Sequence, residues 1–179
     1  MKPIVAIFSI VLAVVGSTLH AADAPKQPSP EMRKLEMFIG KWKYEETEVA
    51  TPFGPGGKST YRATDRFVHD DYFVEERATG HSPSGPVSWT WFGWYDQESG
   101  VFRSTNFESG GRVVAGTFSI DGDSMIGFGE RKLGDRTYKT KSVYRWSPDR
   151  KSATYETSYS EDGVTWKLWY TGKATRTGR

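Results

Sequence analysis

The sequence predicts an all-β chain: a closed antiparallel up-and-down barrel of about ten strands, entered through one short helix. Three observations lead there. After Gly40 the apolar spacing drops from helical to about two, the period of half-buried strands. The alternating runs are separated by tight Gly-, Asp- and Pro-bearing turns with no helical stretch between them, which excludes a parallel α/β sheet. A meander this long must curl, and closing on itself removes the sticky edges, so a closed barrel is favoured over a two-sheet sandwich.

The first segment reads as an address label. Lys2 precedes an apolar run from Ile4 to Val15 broken only by Ser9, and Gly16-Ser17-Thr18 leads to the small residues Ala21 and Ala22. This is the plan of a secretory signal peptide over residues 1–21, cleaved after Ala21. The run falls short of the roughly 20 apolar residues a membrane span needs, and an uncleaved anchor is the alternative. The expected location is the periplasm or the outside of a bacterial cell, with no membrane span after cleavage. Residues 22–28 form a small, polar, Pro-containing flexible lead, and 29–179 a single barrel domain. Ser29 can cap a helix, Pro30 suits its first turn, and Glu31 suits its positive end. Met32, Leu35, Phe38 and Ile39 give that helix one apolar face, and Gly40 stops it.

Ten strands follow: Lys41–Val49, Ser59–His69, Tyr72–Thr79, Val87–Tyr95, Val101–Glu108, Arg112–Ile120, Ser124–Lys132, Arg136–Trp146, Ser152–Ser160 and Val164–Arg176. Ser109-Gly110-Gly111, Asp121-Gly122-Asp123, Leu133-Gly134-Asp135 and Glu161-Asp162-Gly163 supply hairpin turns. Residues 51–57 and 80–86 read as longer connections.

Composition narrows the chemistry. The chain has 24 Lys+Arg against 22 Asp+Glu, so its net charge of +2 gives no electrostatic reason for a nucleic-acid partner. With no cysteine, disulfides, thiolate metal sites and a Cys nucleophile are excluded. No phosphate-binding Gly loop follows a strand. Neither a metal nor a cofactor is expected, and no residue is assigned a catalytic role. His69-Asp70-Asp71 reads as a turn, and no His stands near Ser104 or Ser142 to serve as a base.

Strand parity shows what faces inward. Trp42, Tyr44, Glu46 and Glu48 share a face of the first strand. Tyr138, Thr140, Ser142, Tyr144 and Trp146 share one of the eighth; Ala153, Tyr155, Thr157 and Tyr159 share one of the ninth. On the last strand, Trp166, Leu168, Tyr170, Gly172 and Ala174 go together. An interior this rich in Tyr, Trp, Ser and Thr is unlike a dry aliphatic core. It fits either polar groups satisfying one another with trapped water, or a cavity for an amphipathic, partly aromatic molecule. The candidate ligand-binding residues are Tyr44, Glu46, Tyr144, Tyr155, Thr157 and Trp166, forming one wall across strands one, eight, nine and ten. A solvated position near the rim is the ordinary fate of a carboxylate such as Glu46. Gly40, Trp42 and Arg176 are the structural candidates.

Helix, then Phe38-Ile39-Gly40-Lys41-Trp42, then a meander ending at Arg176, resembles the calycin superfamily, whose members open the first strand with Gly-x-Trp. That resemblance implies that Arg176 packs across the Trp42 ring. Within calycins the chain is most similar to the bacterial family called domain of unknown function 1579. The similarity rests on residues 32–42, Gly93-Trp94-Tyr95-Asp96 and Asp162-Gly163-Val164-Thr165-Trp166. It implies a lipocalin-like barrel and no established activity. Haem-binding relatives use a late-strand His, but this chain has no His after His81. The Arg-x-Tyr unit of fatty-acid-binding relatives is also missing from the last strand.

Two classes of function stay open at this point. One is an exported protein that sequesters or carries a small amphipathic molecule. The other is a cofactor-free isomerase or lyase using Glu46 or a Tyr for proton transfer. An enzyme calls for a strongly shifted ionisable group deep in the cavity, and a simple carrier does not.

Overall fold

The computed structural model describes residues 27–179. The signal peptide expected over 1–21 and most of the 22–28 lead lie outside the described residues. Ser29 caps a 3-10 helix over Pro30–Met37, its hydroxyl accepting from the Glu31 amide. At three residues per turn, Met32, Leu35 and the following Phe38 fall on one face. Met32 and Leu35 are buried, as is Met37.

The strands are β1 (Gly40–Glu48), β2 (Gly57–Val68), β3 (Phe73–Ser82), β4 (Gly85–Asp96), β5 (Val101–Glu108), β6 (Arg112–Asp121), β7 (Ser124–Leu133), β8 (Arg136–Trp146), β9 (Ser152–Ser160) and β10 (Lys167–Gly178). Each pairs antiparallel with the next, and β10 pairs with β1 to close the barrel. The closed ten-stranded meander expected from the sequence is therefore the fold. Burial alternates most cleanly along β2, where Ser59, Tyr61, Ala63 and Asp65 all point inward.

Two connections differ from expectation. The Gly- and Pro-rich stretch 80–86 is not a long loop. The β3–β4 ladder continues to Ser82↔Gly85, leaving Pro83-Ser84 as a tight turn. The last strand begins later than Val164. The Asp162 carboxylate accepts from the amides of Val164 and Thr165 at 2.8 and 2.7 Å, which holds those residues in the turn. A bulge then falls between Leu168, opposite Ser158, and Tyr170, opposite Thr157.

One end of the barrel is sealed. Phe38 drops onto Trp91 and Trp146, with ring centroids 5.7 and 5.0 Å away, above a core that includes Trp42, Phe102, Phe118 and Met125. Met32 Sδ accepts from the Tyr95 amide of β4 at 3.2 Å. Phe92, on the outer face of β4, meets Phe107 rather than the helix, which approaches that strand through its inner side. Gly40 is required at this corner. Its φ is +138°, and a Cβ there would stand 2.8 Å from the Gly178 carbonyl oxygen. Arg176 completes the seal. Its guanidinium lies over the Trp42 ring and donates to the carbonyls of Met37 and Ile39, tying the helix end to β10.

Candidate functional site

Above the seal the barrel encloses a cavity of about 530 Å³. Rings line it from several strands: Tyr44 of β1, Tyr61 of β2, Trp89 and Trp91 of β4, Tyr144 and Trp146 of β8, Tyr170 of β10. At the mouth, Phe53 of the β1–β2 loop packs on Trp169 at 4.4 Å and edge-on to Tyr138 and Tyr159. The Arg131 guanidinium sits 4.9 Å from the Trp169 centroid and pairs with Glu108.

The predicted wall is contiguous in part. Closure places β1, β10, β9 and β8 side by side. Tyr144 stacks on Tyr155 at 4.8 Å, and Tyr44 meets Tyr155 edge-on at 5.9 Å. Tyr44, Glu46, Tyr144 and Thr157 line the cavity. Tyr155 is buried within the wall behind them, its hydroxyl donating to Glu46 at 2.9 Å. Its ring fits because Gly172 stands opposite on β10; a Cβ there would overlap it. Thr157 is buried and shares a 2.8 Å hydrogen bond with Ser142. Trp166 does not belong to the wall. It precedes β10, and the bulge downstream brings both Trp169 and Tyr170 to the cavity instead.

Glu46 is not a solvated rim residue. Burial raises its carboxyl to about 7, outweighing the hydrogen bonds from Tyr155 and Tyr61 that favour the anion. A second carboxyl group lies deeper. Glu76 accepts from the Tyr44 hydroxyl at 3.1 Å and from Trp89 Nε1–H at 2.6 Å. Its cross-strand partner is Asp65, which is 3% exposed; it accepts from no donor among the described residues and, when protonated, hydrogen-bonds the Glu76 carboxylate. Burial and then the charge of Glu76 push Asp65 up to about 10; burial also raises Glu76. Two such neighbours cannot both ionise cheaply in a dry interior. The surrounding phenols of Tyr44, Tyr144, Tyr155 and Tyr170 are all raised by burial, so they remain neutral donors.

Sequence reasoning placed Glu46 on the inner face, but it missed Asp65. The signal was available: Asp65 has the parity of Tyr61 and Ala63 on β2. It also missed Phe53 and Trp169, because loop packing and the bulge leave no periodic trace. The arrangement can surround a flat apolar body with rings, donate from neutral phenols, and accept or release a proton near neutrality at Glu46. The shifted carboxyls are more than a simple carrier requires.

A closed ten-stranded meander with a Gly-x-Trp corner, an Arg across that Trp and an enclosed aromatic cavity defines a calycin-like barrel. Within that class, the family model for a protein of unknown function, DUF1579, matches residues 27–176, and the chain belongs to this family. The crystal structure of Rv2717c from M. tuberculosis shares the fold with a TM-score of 0.61 at 13% identity, covering 84% of this chain and 99% of that one. A protein of unknown function from the DUF3598 family of Nostoc punctiforme PCC 73102 aligns over 83% of this chain and all of its own. Its identity is 7% and its TM-score 0.24. No curated protein matches the chain.

Proposed function

We propose that this is an exported binding protein whose barrel sequesters or carries a small amphipathic, partly aromatic molecule. The carrying observation is the enclosed cavity of about 530 Å³, lined by Tyr and Trp rings and punctuated by a few polar groups. That volume lies in the range of drug-sized ligand sites, roughly 300–1,000 Å³. Burial of ring area against Trp89, Trp91 and Tyr144 supplies the affinity. Neutral donors such as the Tyr144 hydroxyl set the orientation. Native mass spectrometry of protein purified from its own exported fraction tests the reading. A stoichiometric co-purifying mass supports it; an empty barrel that also fails to bind any apolar fluorescent probe refutes it.

Glu46 supports a second reading, a cofactor-free isomerase or lyase. A half-buried carboxyl that desolvation pushes up to about 7, held by Tyr155, is suited to moving a proton at a bound carbon. This reading requires exchange of solvent deuterium into the bound molecule, abolished in Glu46→Gln. Binding without exchange leaves the carrier alone.

A further inference from the structure

We propose that the molecule taken up is an organic cation: an amphipathic amine whose ammonium group seats between Glu46 and Glu76. The proposal rests on the binding reading above and names the chemistry of its ligand.

The charge inside the barrel is one-sided. The charged side chains lining the cavity are Glu46, Glu48, Glu76, Glu108, Arg112 and Arg131. Both arginines stand at the mouth and bond to the one carboxylate of Glu108, which leaves the mouth one positive charge in excess while the deeper wall stays acidic. The other three carboxyls have only neutral donors: Tyr155 and Tyr61 on Glu46, Ser59 on Glu48, and Tyr44, Trp89 and the protonated Asp65 on Glu76. Among the described residues no lysine lines the cavity. Buried carboxylates are normally matched by a cation, and among the described residues neither lining arginine bonds these three.

Asp65 is an independent sign of the same deficit. It is 3% exposed, has the inward parity of β2, and lies directly across from Glu76, the one group that shares a hydrogen bond with it, while no donor serves its own oxygens among the described residues. A buried carboxyl whose one partner is another carboxyl must stay protonated unless a cation joins them. One positive charge near Glu76 would stabilise the ionised form of the whole cluster. Glu46 and Glu76 are linked through the aromatic layer, since Tyr155 bonds Glu46 and meets Tyr44, which bonds Glu76. The rings of that layer also favour a cation over an anion, because their faces are negative. A fatty acid or other carboxylate would meet like charge at Glu46, Glu48 and Glu76 and would be left with the neutral hydroxyls of the wall.

Three probes with one hydrocarbon frame test this: naphthylmethylamine, naphthylmethanol and naphthoic acid, titrated into the full barrel by calorimetry near pH 7. The expected order is amine, then alcohol, then acid, with the amine favoured by about tenfold or more, the scale of a charge-assisted hydrogen bond. Glu46→Gln and Glu76→Gln, which keep size and an acceptor oxygen, should each narrow the gap between amine and alcohol. Equal binding of amine and alcohol, or preference for the acid, overturns the cation while leaving the binding reading intact. Binding of none of the three removes the binding reading itself. The wild-type order needs no variant to fold, so a destabilised Gln variant does not shelter the proposal.

Discussion

Arg176 and Trp42 face each other across the β10–β1 ladder, with the guanidinium carbon 4.5 Å from the indole centroid. The same guanidinium donates to the carbonyls of Met37, Ile39 and Arg150, so one side chain joins the helix end, β1, β10 and the β8–β9 turn. Trp42 in turn donates its indole N–H to the Phe38 carbonyl. The helix end is thus held from both sides of the stacked pair.

Trp42→Ala should therefore cost about 3–5 kcal/mol, as truncation of a buried aromatic does. Arg176→Ala should cost less, because it removes less apolar area. A double-mutant cycle in urea should show coupling of about 0.5–2 kcal/mol, the range of a partly desolvated cation–π contact. Additive losses would separate the stacked pair from the integrity of the seal.

The interior carboxyls make stability fall as pH rises. Glu46 moves from its ordinary 4.5 to about 7 on folding, so between these values the unfolded chain has released a proton that the folded barrel keeps. The stabilising contribution is whole below pH 4.5, declines by about 1.4 kcal/mol per pH unit, and is gone above pH 7. Asp65, carried to about 10, extends the same trend to higher pH. Urea midpoints measured from pH 5 to 9 should drop, and Glu46→Gln and Asp65→Asn should each flatten the profile. A wild-type profile that rises with pH would mean these groups are ionised in the fold.

Gly172→Ala should disturb the wall without touching the cavity lining. The added methyl displaces the Tyr155 ring, at a cost of about 1–3 kcal/mol for overpacking, and pulls its hydroxyl from Glu46. The Glu46 carboxyl, titrated by carbon-detected NMR, should then move upward, because a bond favouring its anion is lost. An unmoved titration with an intact fold would show that Tyr155 has kept its place.

Two substitutions address the cavity. Tyr144→Phe should weaken a bound amphipathic probe by about 0.5–1.5 kcal/mol, the net worth of one neutral hydrogen bond. Thr157→Trp should fill the space and block uptake while the barrel still folds, read by probe displacement alongside circular dichroism. Undiminished binding in Thr157→Trp would place the molecule nearer the mouth, among Phe53 and Trp169.

The fold was legible because each of its rules is local. Hairpin turns name the ladder partners, and alternation names the inner face, so Trp42, Tyr44, Glu46, Tyr144 and Tyr155 could be located from parity alone. Parity fails wherever one residue is inserted. The bulge at the start of β10 puts Trp169 and Tyr170 together at the cavity, and the turn built by Asp162 keeps Trp166 off the strand. Side-chain tilt is the other loss. Tyr44 is in register with Tyr61 on β2, yet its hydroxyl reaches Glu76 of β3, a contact that depends on the stagger of a closed barrel. Parity along single strands can turn Glu46 and Asp65 inward, but which phenol meets which carboxyl follows from that stagger.

The pairing of Lys41 with Gly178 places both ends of the barrel domain at the sealed pole. A fluorescent tag, an affinity handle or a tether to a solid support attached at either end would therefore sit opposite the Phe53 rim. Immobilised through these ends, every molecule on a sensor chip would present its entrance to the flowing solution. Grafting a new sequence into the hairpin tips at Gly110-Gly111 or Gly134 would instead decorate the entrance itself. The barrel thus has a mounting pole and a working pole, and the register of its first and last strands decides which is which.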